Sequence, residues 1–542
     1  MPNIEINRKE FEQLLGKKVD DSALNERASY LGAHWNHVEE EKWDVELYPN
    51  RPDLLSVEGL ARAYRSFFDV ETGLKEYKTE EGSLKLNVDE SVADVRPYVG
   101  GAVVKNLEIS ERTINGLIQL QEKMHQTMGR RRDKLAIGLH DLSQVKPPFT
   151  YRAVEPEKVS FTPLEHDKDM HLGEIVEEHD KGQEYAWILD GEELYPIIED
   201  SKGKVLSFPP IINNQLTEVT DKTTDIFIDV TGKDPKTVRK ALNILTMALA
   251  ERDGDIETVD VAGKTMPDLS HSERVVDLEY LNSVSGLDLD SEGAIELLER
   301  MGYGAKAIDQ SIEVQVPCYR TDIMHSYDLI EDVVIAYGYD EIESEIPELD
   351  QIAGEKEIEK FSKIVRETLV GTGALETHTF ILSSKKKLFG MMETQKKPHA
   401  AMSNALTEDY EVVRNWMLPS LMEALRENRQ RPYPQAFFEA GDVVSMPSAE
   451  NKKKLCYVKA GEVDYTDARE VLQALENTLG IKLDLVEEEK SFAKPKRSAQ
   501  IQKEGEDLGF IAELSSNVTD NWGIEPRVSG FEIDLEKLSQ YY

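Results

Sequence analysis

A chain of 542 residues, 40% of them hydrophobic, has room for several domains at about 150 residues each. It lacks the roughly 18 uncharged apolar residues of a membrane span, and its two cysteines, Cys318 and Cys456, exclude a disulfide framework or a zinc cluster. A formal charge of −40, from 64 basic and 104 acidic residues, repels nucleic acid as a whole. The acids run along the entire chain rather than in a tail, which fits a surface solvated in a salt-rich cytosol better than one acidic binding site. Any RNA contact then has to come from local basic patches: Arg130–Lys134 (RRRDK), Lys385–Lys387, Lys452–Lys454 and KSFAKPKR ending at Arg497. Each of these also reads as a solvated face. The opening MPNIEINRKEFEQLL has no apolar signal-peptide core, so the expected compartment is the cytoplasm.

Residues 1–85 read as mixed helix and strand, ending in DLLSVEGLARAYRSFF, where Leu60, Tyr64, Phe67 and Phe68 recur at helical spacing after a Ser56 cap. The acidic, glycine-containing stretch Tyr77–Ser83 reads as a linker. From 90 to 265 strands (YVGGAVVKNL, KLAIGLHDL, KVLSFPPIINN, DIFIDVTG) alternate with helices (INGLIQLQEKMHQTM and Thr237–Ala250), as in one α+β domain. A third segment, 270–345, runs strand, helix, strand, helix and ends in AYGYDEI. The last, 355–542, opens with KEIEKFSKIVRETLVGTG and then alternates strand and helix, predicting a large antiparallel sheet with helices on one face. Leu418, Leu421, Leu425 and Phe437 are its candidate core.

Three strings carry chemistry. In RTDIMHSYDLIEDVVIAYGYDEI, a helical advance of about 100° per residue puts Asp328, Glu331 and Asp332 on one face. Leu329, Ile330, Val333, Val334 and Tyr337 fall on the other. With Asp322 just before the helix, these acids read either as a solvated face or as hard oxygen donors for Mg²⁺. In ELYPNRPDLLSVEGLARAY, Asn50-Arg51-Pro52-Asp53 is turn chemistry before a capped helix. In LSFPPIINNQLTEVTDKTTDIFIDVTG, Asp229 and Thr231 share one side of a strand because they are two apart. They form either the polar edge of a half-buried strand or a pair able to recognise a phenol hydroxyl or an ammonium and orient a water. Gly263-Lys264-Thr265 is not a P-loop, since Thr258 stands where its first glycine belongs. The sequence has no HExxH, zinc spacing or nucleophile elbow.

Taken together, and in this order, these strings resemble the β subunit of phenylalanyl-tRNA synthetases of the archaeal and eukaryotic type. The resemblance implies a multidomain α+β chain. Its parts would be an N-terminal module (1–85), a tRNA-editing domain (90–265) and a small DNA-binding-like module (270–345). A class II synthetase catalytic-like antiparallel sheet domain (355–542), inactive and facing the α subunit, would complete it. It further implies an α₂β₂ partnership, tRNA(Phe) as ligand, ATP consumed at α, and Mg²⁺ shared with α on Asp322, Asp328, Glu331 and Asp332. Ser207, Asp229 and Thr231 would line a pocket that hydrolyses mischarged Tyr-tRNA(Phe), with Asn213, Asn214, His140 and Asp141 as weaker candidates. A phenylalanine pocket rejects the extra hydroxyl of tyrosine only modestly, whereas a second site that hydrogen-bonds that hydroxyl selects it. Two other readings remain: a free-standing deacylase, for which the long C-terminal half has no use, and an RNA-binding assembly protein without activity.

Overall fold

The computed structural model describes residues 1–542 apart from 21–23, 25, 40 and 351. Two units divide the chain, Met1–Ile346 and Pro347–Tyr542.

The first unit begins with a three-stranded antiparallel sheet, in the order Asn3–Asn7, Lys42–Leu47, Ala33–Glu39. Helices Arg8–Leu15 and Val57–Phe67 pack on it around Phe11, Trp35, Trp43, Tyr64 and Phe67. The Ser56 side chain accepts from the Gly59 N–H and starts the second helix, as the sequence predicts. In the turn before it, the Arg51 guanidinium grips Asp53 through two bonds of 2.9 and 2.8 Å. Both side chains are buried, so this pair is part of the core.

Two sheets follow. The first runs Thr79–Glu80, Asp255–Glu257, Tyr98–Lys105, Ile226–Gly232, Leu135–Asp141. Helices Glu111–Gln126 and Pro235–Ala250 cover one of its faces through Leu117, Leu120, Val238 and Leu242, against Ala102, Ile228 and Val230. The second sheet has seven strands, including Lys85–Val88, Phe149–Val154, Tyr195–Glu199 and Val205–Phe208. It packs on the opposite face, where Phe227 meets Phe149, Tyr151 and Leu206. Strand alternation therefore aims Asp229 and Thr231, which share the side of Phe227, toward the second sheet. Of Tyr77–Ser83, read from sequence as a linker, Thr79–Glu80 is an edge strand of this fold, and the strand Lys85–Val88 follows it. Thr79–Glu80 pairs with Ile256 and Glu257, and Leu86–Val88 pairs with Phe149–Tyr151. Charged side chains hid this segment, because strands with one solvated side need few apolar residues.

The unit closes with a three-stranded antiparallel sheet, Ser272–Asp277, Ser311–Val316, Gly304–Ile308, and helices Leu278–Ser285, Ser291–Arg300 and Ser326–Tyr337. Leu298, Ile312, Val314, Leu329 and Val333 form its core.

The second unit is built on a seven-stranded sheet, antiparallel except where Leu375–Glu376 pairs with Phe437 and Phe438. Helices lie on both faces, not one. Glu357–Gly371 and Tyr465–Leu479 cover Phe438, Leu455 and Tyr457. Leu418–Glu427 and Ser516–Trp522 cover Phe437, Cys456 and Val458. Both parities of the strand Glu450–Gly461 are apolar in the stretch LCYV, which is the pattern of a strand buried on two sides. Leu418, Leu421, Leu425 and Phe437 are all buried here.

Candidate active site

A cavity of about 350 Å³ opens where the two sheets of the middle region meet, lined from the strands by Ser207, Asn213, Gly138 and Asp229 and from helix and loop by Gln121, Glu122, His125 and Arg132. Asp229 is 1% exposed, and its Oδ2 lies 2.7 Å from the Nε2 of His140. The other ring nitrogen, Nδ1, lies 2.9 Å from the Thr217 hydroxyl, which also lies 3.2 Å from the Asn214 carbonyl. Because the carboxylate only accepts, the neutral ring carries its proton on Nε2 and donates it to Asp229, while Nδ1 accepts from the Thr217 hydroxyl. Gly138 leaves room for this contact: a Cβ there would stand 2.0 Å from the Asp229 Oδ2.

Three buried polar atoms around the cavity have no partner within hydrogen-bond distance, Ser207 Oγ, His125 Nδ1 and Arg132 Nε; the acceptor Glu122 Oε1 stands 3.6 Å from His125 Nδ1. Since His125 Nε2 accepts from the Ile137 N–H at 2.9 Å, its neutral ring carries the proton on Nδ1, as a donor. Burial pushes this imidazole down to about 4, so it is neutral at physiological pH. Beside it, the His125 ring and the Arg132 guanidinium (2.6 Å) outweigh burial and hold the Glu122 carboxyl down at about 2.

Thr231 lies elsewhere. It is fully buried, does not line the cavity, and its hydroxyl accepts from the Arg96 Nε at 3.0 Å. Arg96 also donates to the carbonyls of Thr231, Arg132 and Asp133. Asn214 and Asp141 are spent on local structure: Asn214 Nδ2 donates to the Val205 carbonyl, and Asp141 accepts from Thr223 and the Ser143 N–H. Glu122, His125, Arg132 and Arg96 escape sequence reading, because nothing in a helix or a basic run marks a residue that folds onto a strand about a hundred positions away.

The four acids near 320–332 lie close enough to act on one another, but two of them are already engaged by a guanidinium. Arg320, 7% exposed, holds Asp322 through bonds of 3.0 and 2.7 Å and reaches Asp332 at 2.7 Å. Tyr303 donates to Asp332 as well. Burial pushes the Asp322 carboxyl up, but Arg320 outweighs it and holds the group below its usual range. Asp328 accepts from the backbone N–H groups of Met324 and His325, capping the helix. Burial and its three acidic neighbours push Glu331 up. Among the described residues no three His, Cys, Asp or Glu side chains are placed to hold a metal. With a guanidinium already neutralising two of the four, these residues do not fit a Mg²⁺ ligand set as they stand.

Three segments match known families: 104–269 the B3/4 domain, 274–339 the tRNA synthetase B5 domain, and 342–535 the phenylalanyl tRNA synthetase beta chain CLM domain. A phenylalanine–tRNA ligase beta subunit of Methanosarcina barkeri is 40% identical, covering 99% of each chain. That of Thermococcus sibiricus is 37% identical, over 99% of this chain and 98% of the other. The chain belongs to the phenylalanine–tRNA ligase beta subunit family. An N-terminal fragment of the phenylalanyl-tRNA synthetase beta subunit from Pyrococcus horikoshii, seen in a crystal structure, aligns over its full length with 62% of this chain, at 38% identity and a TM-score of 0.60. The cavity lies within the segment that matches B3/4. Among the described residues no helix is long and apolar enough to cross a membrane.

Proposed function

We propose that this beta subunit works with an α subunit in an α₂β₂ enzyme, that α joins phenylalanine to tRNA(Phe) at the expense of ATP, and that the cavity hydrolyses tyrosine mischarged onto that tRNA. The observation that carries the editing reading is the set of unpartnered buried groups, Ser207 Oγ, His125 Nδ1 and Arg132 Nε, around one cavity. Buried polar groups are costly unless bonded, so a polar ligand that completes them is favoured over an apolar one.

Asp229, held by His140, and Ser207 come from different sheets and suit a phenol hydroxyl, which can donate to the carboxylate. A phenylalanine side chain would leave Ser207 Oγ unpartnered and bring the carboxylate no donor beyond His140, and the difference is selectivity. The His125 Nδ1–H and Arg132 are donors suited to the oxygen of a developing tetrahedral intermediate. Glu122, so strongly acidic, is a poor base at neutral pH. It orients water rather than taking its proton. Thr231 acts on the cavity through Arg96.

The α partnership is supported by apolar side chains the second unit leaves in solvent, among them Leu375, Phe380, Leu406 and Tyr410. That unit has no use in a free-standing deacylase. The test is phenylalanyl-tRNA formation by the α subunit with and without this chain. Charging only when both are present supports the partnership; equal charging by α alone contradicts it.

A further inference from the structure

The RRRDK run supplies Arg132 to the cavity, but the hydrolysis uses neither Arg130 nor Arg131. Arg130, Arg131 and Arg132 adopt φ of 48°, 57° and 67° in succession, a left-handed backbone that side-chain-bearing residues resist. The turn is fixed from inside. Arg96 donates to the carbonyls of Arg132 and Asp133 at 3.1 Å each, and Arg132 points inward, to the Ile211 carbonyl at 2.8 Å and over the Tyr185 ring at 4.3 Å. What the strained turn achieves is to leave Arg130 and Arg131 in solvent beside the cavity. Among the described residues neither is paired with a carboxylate. Arg131 lies 5.9 Å from the ring of Trp187, which at 43% is the one exposed tryptophan among the described residues. Lys181 on the same helical stretch, like Arg132, lines the cavity.

We propose that Trp187 and Arg131 form a stacking platform for the single-stranded 3′ end of a tRNA, seating the terminal base while its ester enters the cavity. This rests on reading the cavity as a deacylase. An exposed aromatic ring beside an unpaired guanidinium stacks any base and attracts its phosphates. On a chain of charge −40, such a local cationic spot is what a polynucleotide needs to approach. Neither residue lines the cavity itself, but Arg131 adjoins Arg132, which does, and Trp187 follows Lys181, which does, on one helical stretch, so a strand entering there meets the pair.

The test uses the α–β enzyme carrying Trp187→Ala, Trp187→Phe or Arg131→Ala. Deacylation of tyrosyl-tRNA is followed kinetically, and 2-aminopurine replacing the terminal adenine reports stacking by its fluorescence. Loss of the ring is expected to raise KM about tenfold, with kcat within about twofold, and to abolish quenching; Phe at 187 keeps both near wild type. Arg131→Ala is expected to raise KM and flatten its salt dependence. Unchanged KM and quenching would overturn the proposal. So would a fall in kcat alone, which marks damage to the cavity, or failure of Trp187→Ala to assemble with α, which marks a protein interface. If wild-type enzyme quenches the probe through Trp187 but does not deacylate, the editing reading fails while the platform stands.

Discussion

The Nε2 of His140 lies 2.7 Å from the Oδ2 of Asp229, and both side chains are essentially closed to solvent. The contact orients the carboxylate at the cavity wall, and Gly138 leaves the space it needs. Gly138→Ala is therefore expected to abolish deacylation, since its Cβ would collide with the carboxylate at 2.0 Å. At position 140, Gln retains a donor and Phe does not. We expect His140→Phe to lower the thermal midpoint, at a cost of about 1–3 kcal/mol for the unsatisfied acid, and His140→Gln to recover most of it. Equal midpoints for the two variants would contradict the pairing.

Thr231 acts at one remove. Thr231→Val keeps its shape but strips the Arg96 Nε of its acceptor inside the core, at a cost of about 1–3 kcal/mol; Thr231→Ser keeps the bond. Deacylation kinetics should show a lower kcat for Val and a near-normal one for Ser. A Val variant that merely loses selectivity against phenylalanine, at full stability, would instead place Thr231 in substrate recognition.

The pH dependence of stability follows from His125. Its folded value of about 4 lies below the ordinary 6.5. The unfolded chain therefore takes up a proton first, and stability falls as pH drops from 6.5 through 4. Glu122, depressed to about 2, adds stability above pH 4.5 that is lost as pH falls further through 2. Denaturation followed between pH 8 and 4 should show a decline of up to about 3 kcal/mol, absent in His125→Gln. An unchanged profile in that variant would rule out His125 as its source.

Arg320 stands where a metal was expected. Removing it (Arg320→Met) leaves the buried Asp332 and the half-buried Asp322 without this cation, at a cost of about 3–5 kcal/mol. Calorimetry of the chain alone should detect no Mg²⁺ binding, and chelation should leave its unfolding midpoint unmoved. A stoichiometric Mg²⁺ heat would show that the acids rearrange around the ion.

Periodicity and spacing made much of this legible. The Ser56 cap, the core helices and the common side of Asp229 and Thr231 follow from residue pattern, and Ser207 and Asp229 do line one cavity. The pattern cannot say what fills the space opposite a side chain. Helical geometry put Asp328, Glu331 and Asp332 on one face, yet Asp332 is buried on Arg320 and Tyr303 while Asp328 caps the helix. Likewise spacing did not reveal that Arg96, rather than a ligand, meets Thr231. His125 and Glu122 look like the polar side of an amphipathic helix, and only the fold turns that side to the cavity. The two covered faces of the terminal sheet were readable in LCYV, where alternation fails.

The editing claim is tested most directly by deacylation of tyrosyl- and phenylalanyl-tRNA(Phe) by the α–β enzyme, wild type against Asp229→Ala. Wild type should hydrolyse the tyrosyl ester and spare the phenylalanyl one. The variant should lose about 10-fold or more of that preference, the worth of one or two buried hydrogen bonds. Wild-type enzyme that hydrolyses neither ester, or a variant with unaltered preference, would contradict the assignment of this cavity.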